Sequence, residues 1–201
     1  MTASQNMWTP ANVVTMVRVA LVPVWLLLAE MSQPSPEQIS ISCLVVAGLY
    51  MLISLTDKLD GYLARSRNEV TAFGKFLDPI ADKLAVVVAL CFLLEVGQVS
   101  AWVLLVIVSR EFLVSGLRMV VASEGVVVAA SNLGKWKTAI TMIAICGLLL
   151  VRGIPQVTFV GIEPHIIFDV LLWVAVGLTA WSGIDYFVSC WPYVSGSSND
   201  A

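Results

Sequence analysis

The sequence predicts an all-α integral membrane protein of six transmembrane helices, and three observations lead there. Hydrophobic residues make up 59% of the 201-residue chain and charged residues 12%, with a mean hydropathy of +0.90, far from the mix of a soluble domain. The apolar residues fall in runs of about 20, the length a helix needs to cross a hydrocarbon core of ~30 Å. Only short connections separate the runs, so residues 1–201 are expected to form one membrane domain with no soluble appendage.

In order, the helices are expected near 13–30, 39–63, 76–96, 100–121, 136–152 and 166–189. The first lacks a basic segment ahead of its apolar run and a small-residue cleavage site after it, so it reads as a retained helix rather than a signal peptide. If the second and third form an antiparallel hairpin, its centre lies near residue 69 or 70. Pro79 is tolerated if the third helix starts just before it, where its missing N–H needs no partner. The fourth helix carries Arg110 and Arg118 about two turns apart, with Arg110 roughly 12 Å deeper. Lys135 and Lys137 lie at the start of the fifth, and the sixth is apolar nearly throughout. The tail from about 194 to 201, ending SGSSNDA, is expected to be disordered.

Lys and Arg set the orientation. Arg65, Arg67 and Lys75 flank the second connection, and Arg118, Lys135 and Lys137 flank the fourth, whereas the alternate connections hold only Arg152. By the positive-inside rule the second connection and both termini face the cytoplasm. Trp8, Trp136 and Trp191 near helix ends suit interfacial anchoring or, equally, apolar packing. Cys43, Cys91, Cys146 and Cys190 are scattered singly without metal-ligand spacing, which points to packing. A net charge of -3 gives no reason to invoke nucleic acid. His165, Asp169 and Asp185 are assigned no chemistry.

Four aspartates stand out against this background. In the hairpin Asp60 matches Asp78 in depth and Asp57 matches Asp82, so the four carboxylates are expected to converge in a polar cleft open to the cytoplasm. Carboxylates this close cannot all stay ionised without compensating cations. Oxygen-only ligation selects a hard divalent ion, Mg²⁺ or Mn²⁺, and four ligands suffice for two ions. The competing explanation is that the aspartates pair with Lys58, Lys75, Lys83 and Arg65 to hold helices together, but intramembrane ionisable residues mark function by default. Gly61, Ala64 and Gly74 leave room for a ligand or for a facing helix, and Arg65 offers a forked donor to a diphosphate.

The residues Asp57, Asp60, Gly61, Ala64, Arg65, Gly74, Asp78 and Asp82, at their fixed spacing, resemble the signature of the CDP-alcohol phosphotransferase family, and every specified position matches. The resemblance implies a six-helix bacterial membrane enzyme that joins a CDP-linked lipid to an alcohol with release of CMP. It further implies divalent metal on the aspartates, Asp82 as ligand or as general base, and a homodimer. The likeness continues at Asn12, Thr15 and Arg18 in NVVTMVR, candidate substrate contacts, although TPAN places one residue between Pro10 and Asn12 where relatives often have none. The stretches SREFLVSGLR and ASNLGKWKT are similar to the branch whose donor is CDP-diacylglycerol and whose acceptor is glycerol 3-phosphate.

An anionic acceptor also follows from charge alone. An arginine as deep as Arg110 needs an anion, which Glu111, an aspartate or a substrate could supply, and Arg118, Lys135 and Lys137 cluster beyond it as a basic pocket for a phosphate. Lys137 could instead anchor at the interface. Inositol phosphate is the alternative acceptor. A divalent-cation transporter would explain the aspartates but gains nothing from the basic group.

Overall fold

The computed structural model describes residues 9–67, 72–123, 132–155 and 163–194. Six helices follow one another: α1 (Pro10–Met31), α2 (Ile41–Arg67), α3 (Ala72–Glu95), α4 (Ala101–Ser123), α5 (Asn132–Val151) and α6 (Pro164–Val194). No strand occurs among the described residues. Asn12–Met31 and Pro164–Trp191 are each long and apolar enough to cross a membrane, and Ile41–Thr56 and Trp136–Val151 are shorter apolar stretches.

The helix count and order match the sequence expectation, but several helices outrun their apolar segments. The second continues to Arg67, the third begins at Ala72, the fifth at Asn132, and the sixth ends at Val194. Hydropathy marks where a chain suits lipid, whereas a helix ends where its backbone hydrogen bonds stop, and Leu, Ala, Arg and Lys favour continuation. Pro79 therefore lies inside α3 rather than at its start. The tail expected to be disordered lies outside the described residues, apart from Val194 at the end of α6.

One hydrophobic core draws buried side chains from all six helices. Trp25 of α1 anchors it, donating its indole N–H to the Val46 carbonyl of α2 at 2.9 Å and meeting the Phe92 ring of α3 edge-on at 5.8 Å. The indole thus buries a large apolar surface without stranding its polar atom. Cys43 and Cys190 are buried, as packing requires, but Cys91 is exposed on the apolar exterior. Hydroxyls within helices donate to their own preceding turn, as Thr141 does to Lys137 O at 2.8 Å and Thr179 to Ala175 O at 2.6 Å.

The helix partners are unevenly distributed. Among the described residues α5 packs most extensively on α6, α3 on α1, α4 on α6, and α2 on α1 and α5, while α2 and α3 touch only slightly. Between α5 and α6, Gly147 admits the Phe168 ring so closely that a Cβ there would lie 2.0 Å from a ring carbon. Overpacking of this kind costs about 1–3 kcal/mol. Gly147→Ala is expected to lower the thermal unfolding midpoint in detergent, whereas Gly177→Ala, whose methyl meets nothing within 4 Å, is expected to leave it in place. Equal midpoints for Gly147→Ala and the parent would contradict this close approach.

Candidate functional site

Asp57, Asp60, Gly61, Ala64 and Arg65 lie in the last turns of α2, and Gly74, Asp78 and Asp82 in the first turns of α3. Helix runs unbroken through both groups, so their three- and four-residue spacings are in helical register. Their side chains, and that of Lys135 in the first turn of α5, lie outside the described ones, as does any convergence of the four carboxylates. Among the described residues no group of three His, Cys, Asp or Glu gathers as a metal site.

The surrounding side chains are described, and they place charge at this end of the bundle. Thr9 caps α1, its hydroxyl accepting from Asn12 N–H at 3.3 Å, and Pro10 takes the first turn, where its missing N–H leaves nothing unpaired. The extra residue in TPAN therefore does not disturb the start of the helix. Asn12, Thr15 and Arg18, three residues apart along α1, are all buried, on a helix that packs against α2 and α3.

On α4, Glu111 is the centre of a cation group. Its Oε1 accepts from Arg110 Nη1 at 3.4 Å and from the ammonium of Lys137 on α5. Lys137 is only 5% exposed, which removes the interfacial-anchor alternative. Glu111 is also the anion that the deep Arg110 requires. Arg110 Nε is buried with no hydrogen-bond partner among the described residues. Donor capacity therefore remains for a further anion.

Further along α4, Arg118 lies over the Tyr186 ring of α6, 5.3 Å from its centroid, within the range of cation–π attraction. Tyr186 is buried, and its hydroxyl lacks a hydrogen-bond partner among the described residues. Gly183, one turn earlier on α6, lets Arg110 lie against the helix, since a Cβ there would sit 3.0 Å from Arg110 Cγ. Lys83 of α3, next in sequence to Asp82, donates to Ser115 of α4.

Sequence reading missed Tyr186, Gly183 and Ser115. The signal available was the polar stretch WSGIDY in an otherwise apolar sixth helix, with glycine and tyrosine three residues apart on one face. His165 pairs with Glu163 at 3.2 Å in an exposed connection, as an ordinary surface histidine does.

Residues 8–181 match the family described as CDP-alcohol phosphatidyltransferase. The chain is 42% identical over 198 residues to a Bacillus subtilis (strain 168) protein named CDP-diacylglycerol--glycerol-3-phosphate 3-phosphatidyltransferase, covering 96% of this chain and 100% of the relative. A Rickettsia bellii (strain RML369-C) protein of the same name is 39% identical over 182 residues, covering 90% and 95%. One from Pseudomonas fluorescens is 35% identical over 189 residues, covering 91% and 90%.

Proposed function

The chain belongs to the CDP-alcohol phosphatidyltransferase family, and from that premise we propose that it transfers the phosphatidyl group of CDP-diacylglycerol to glycerol 3-phosphate, giving phosphatidylglycerophosphate and CMP. The observation that carries the acceptor is the cation group of Arg110 and Lys137 on Glu111, with Arg118 stacked on Tyr186 beyond it. A phosphate-bearing alcohol suits such a group, and a cation-conducting route has no use for it.

In the reaction, the primary hydroxyl of glycerol 3-phosphate attacks the lipid-side phosphorus in line, and the bond to CMP breaks. Asp82 accepts the hydroxyl proton. Arg110, Arg118, Lys135 and Lys137 hold the acceptor phosphate and aim its hydroxyl, while Arg65, beside the small residues Gly61, Ala64 and Gly74, binds the diphosphate of the lipid donor. Asn12, Thr15 and Arg18 line the same end from α1. The donor chemistry of Asp57, Asp60, Asp78 and Asp82 is carboxylate oxygen alone, and Lys83 donates to Ser115. That set fits Mg²⁺ or Mn²⁺, two ions being within its capacity, and the metal when bound supplies neutralisation of diphosphate charge.

The protein is read as multi-pass in the bacterial cytoplasmic membrane, with the aspartate-bearing helix ends facing the cytoplasm. Support comes from the basic residues gathered at that end and from a water-soluble acceptor. The homodimer implied by the family resemblance belongs to this reading. The exposed apolar side chains of α6, among them Trp181, Ile184 and Val188, suit lipid or a second copy.

The test offers glycerol 3-phosphate, inositol 1-phosphate, serine and phosphatidylglycerol at equal concentration with labelled CDP-diacylglycerol, and identifies the lipid product. Phosphatidylglycerophosphate is expected to dominate. Phosphatidylinositol phosphate would keep the chemistry and change the acceptor, and a preference for serine would remove the rationale for the basic group. In the same assay Arg118→Ala or Lys135→Ala is expected to raise the KM for glycerol 3-phosphate about tenfold or more, the effect of one charge-assisted contact, with little change toward CDP-diacylglycerol. Unchanged acceptor KM in both variants would place the acceptor phosphate elsewhere.

A further inference from the structure

At the end of the bundle opposite the aspartates is a cavity of about 950 Å³ that the chemistry above does not use. Three connections build it, contributing Pro34 and Pro36 after α1, Gln98 after α3, and Arg152 after α5. Backbone bonds hold these walls. Gly97, at φ 75°, closes α3 in a Schellman turn, its N–H donating to Leu94 O at 3.0 Å while Gln98 N–H donates to Leu93 O at 2.9 Å. Ser40 N–H donates to Gly153 O at 2.9 Å and ties the first connection to the last.

Arg152 gives the cavity its chemical character. Its guanidinium lies 4.7 Å from the centre of the Phe92 ring, and among the described residues it makes no ion pair. Among the described residues its Nη1 is buried without an acceptor and Oε1 of Gln98 is buried without a donor. A permanent charge partly buried in a membrane protein calls for an anion. Glu163, on the same lining, is engaged by His165, and Asp169 also lines the cavity. Carboxylates there disfavour a doubly charged phosphate but tolerate a singly charged phosphodiester. Val96, Leu148 and Ile154 supply apolar wall beside it.

We propose that this cavity binds the headgroup of a membrane phospholipid, with its phosphodiester on Arg152 and its chains against Val96, Leu148 and Ile154. The site is separate from the aspartate end and does not depend on the reaction assigned there. A free anion would share the phosphate chemistry but would leave the apolar wall uncovered.

The full-length protein, delipidated in detergent, is titrated with dioleoylphosphatidylglycerol, dioleoylglycerol, glycerophosphoglycerol and inorganic phosphate, with binding read by native mass spectrometry. Arg152→Ala is expected to weaken phosphatidylglycerol binding about tenfold or more and to leave dioleoylglycerol binding unchanged. CMP release is expected to persist in this variant. Equal phosphatidylglycerol affinity in the two proteins overturns the proposal. Arg152-dependent binding of glycerophosphoglycerol or inorganic phosphate as tight as that of the lipid assigns the site to a free anion and overturns the lipid reading. Should Arg152→Ala not fold, photoactivatable phosphatidylglycerol on the unaltered protein decides. Crosslinks in peptides containing Pro34, Pro36 or Gln98 are expected, and crosslinks confined to other segments overturn the site.

Discussion

Asp57→Ala and Asp78→Ala are each expected to reduce CMP release to background, and no concentration of CDP-diacylglycerol should restore it. Each substitution removes one oxygen ligand from the proposed set of four, one from α2 and one from α3, so each helix in turn loses half of what it brings to the metal. A hard divalent ion tolerates such a loss poorly, because its affinity rests on the number and charge of its oxygen ligands. The substrate diphosphate is then left under-neutralised and out of line with the attacking hydroxyl, and small misplacements at a reacting centre already cost orders of magnitude. The measurement is CMP release by the purified variants, with bound metal assayed and elution on gel filtration compared with the parent. Wild-type turnover in either variant would remove the metal-site reading.

Asp82→Asn is expected to lower turnover roughly a hundredfold or more while leaving CDP-diacylglycerol binding largely intact. Asparagine keeps the size and one oxygen of the carboxylate but cannot take a proton, and a positioned general base contributes about 10²–10⁴-fold. The two roles open to Asp82 separate cleanly in this variant. A base lost on its own lowers the rate at saturating substrate, whereas a ligand lost takes donor binding with it. Binding measured on the purified protein that disappears together with turnover would make Asp82 chiefly a metal ligand.

The helix order was legible because apolar runs of bilayer length are hard to produce by any other fold, and the aspartates because charge is conspicuous in oil. Helix ends were less legible, as Arg67 and Ala72 illustrate: helix persists through polar residues that hydropathy assigns to a connection. The sequence offers Glu111 as a partner for its neighbour Arg110, and the two do pair at 3.4 Å, but a second cation, Lys137, also arrives on that carboxylate from α5. No periodicity within α4 could have foretold that. Tyr186 and Gly183 stayed hidden for a related reason. Their meaning comes from α6 lying against α4, a pairing of helices that are not consecutive, and a tyrosine in an apolar helix has no local mark that distinguishes it from packing. Arg110 and Lys137 were visible one by one, and their meeting on the Glu111 carboxylate was not.

Among the described residues α2 and α3 make only slight contact, and in the proposed multi-pass reading this bears on how the molecule is made. Helices inserted into a membrane one after another can pair as they arrive only if sequence neighbours are also spatial neighbours. Here α1 with α2 and α5 with α6 are neighbours in both senses, but α3 leans on α1, α2 leans partly on α5, and α4 leans on α6, the last helix to be synthesised. A nascent chain stopped after α4 would already carry all four aspartates, yet it would lack the helix behind α2 and the one behind α4. In the proposed multi-pass reading, the aspartate-bearing end of the bundle would therefore have all its supporting helices only once the sixth has been inserted.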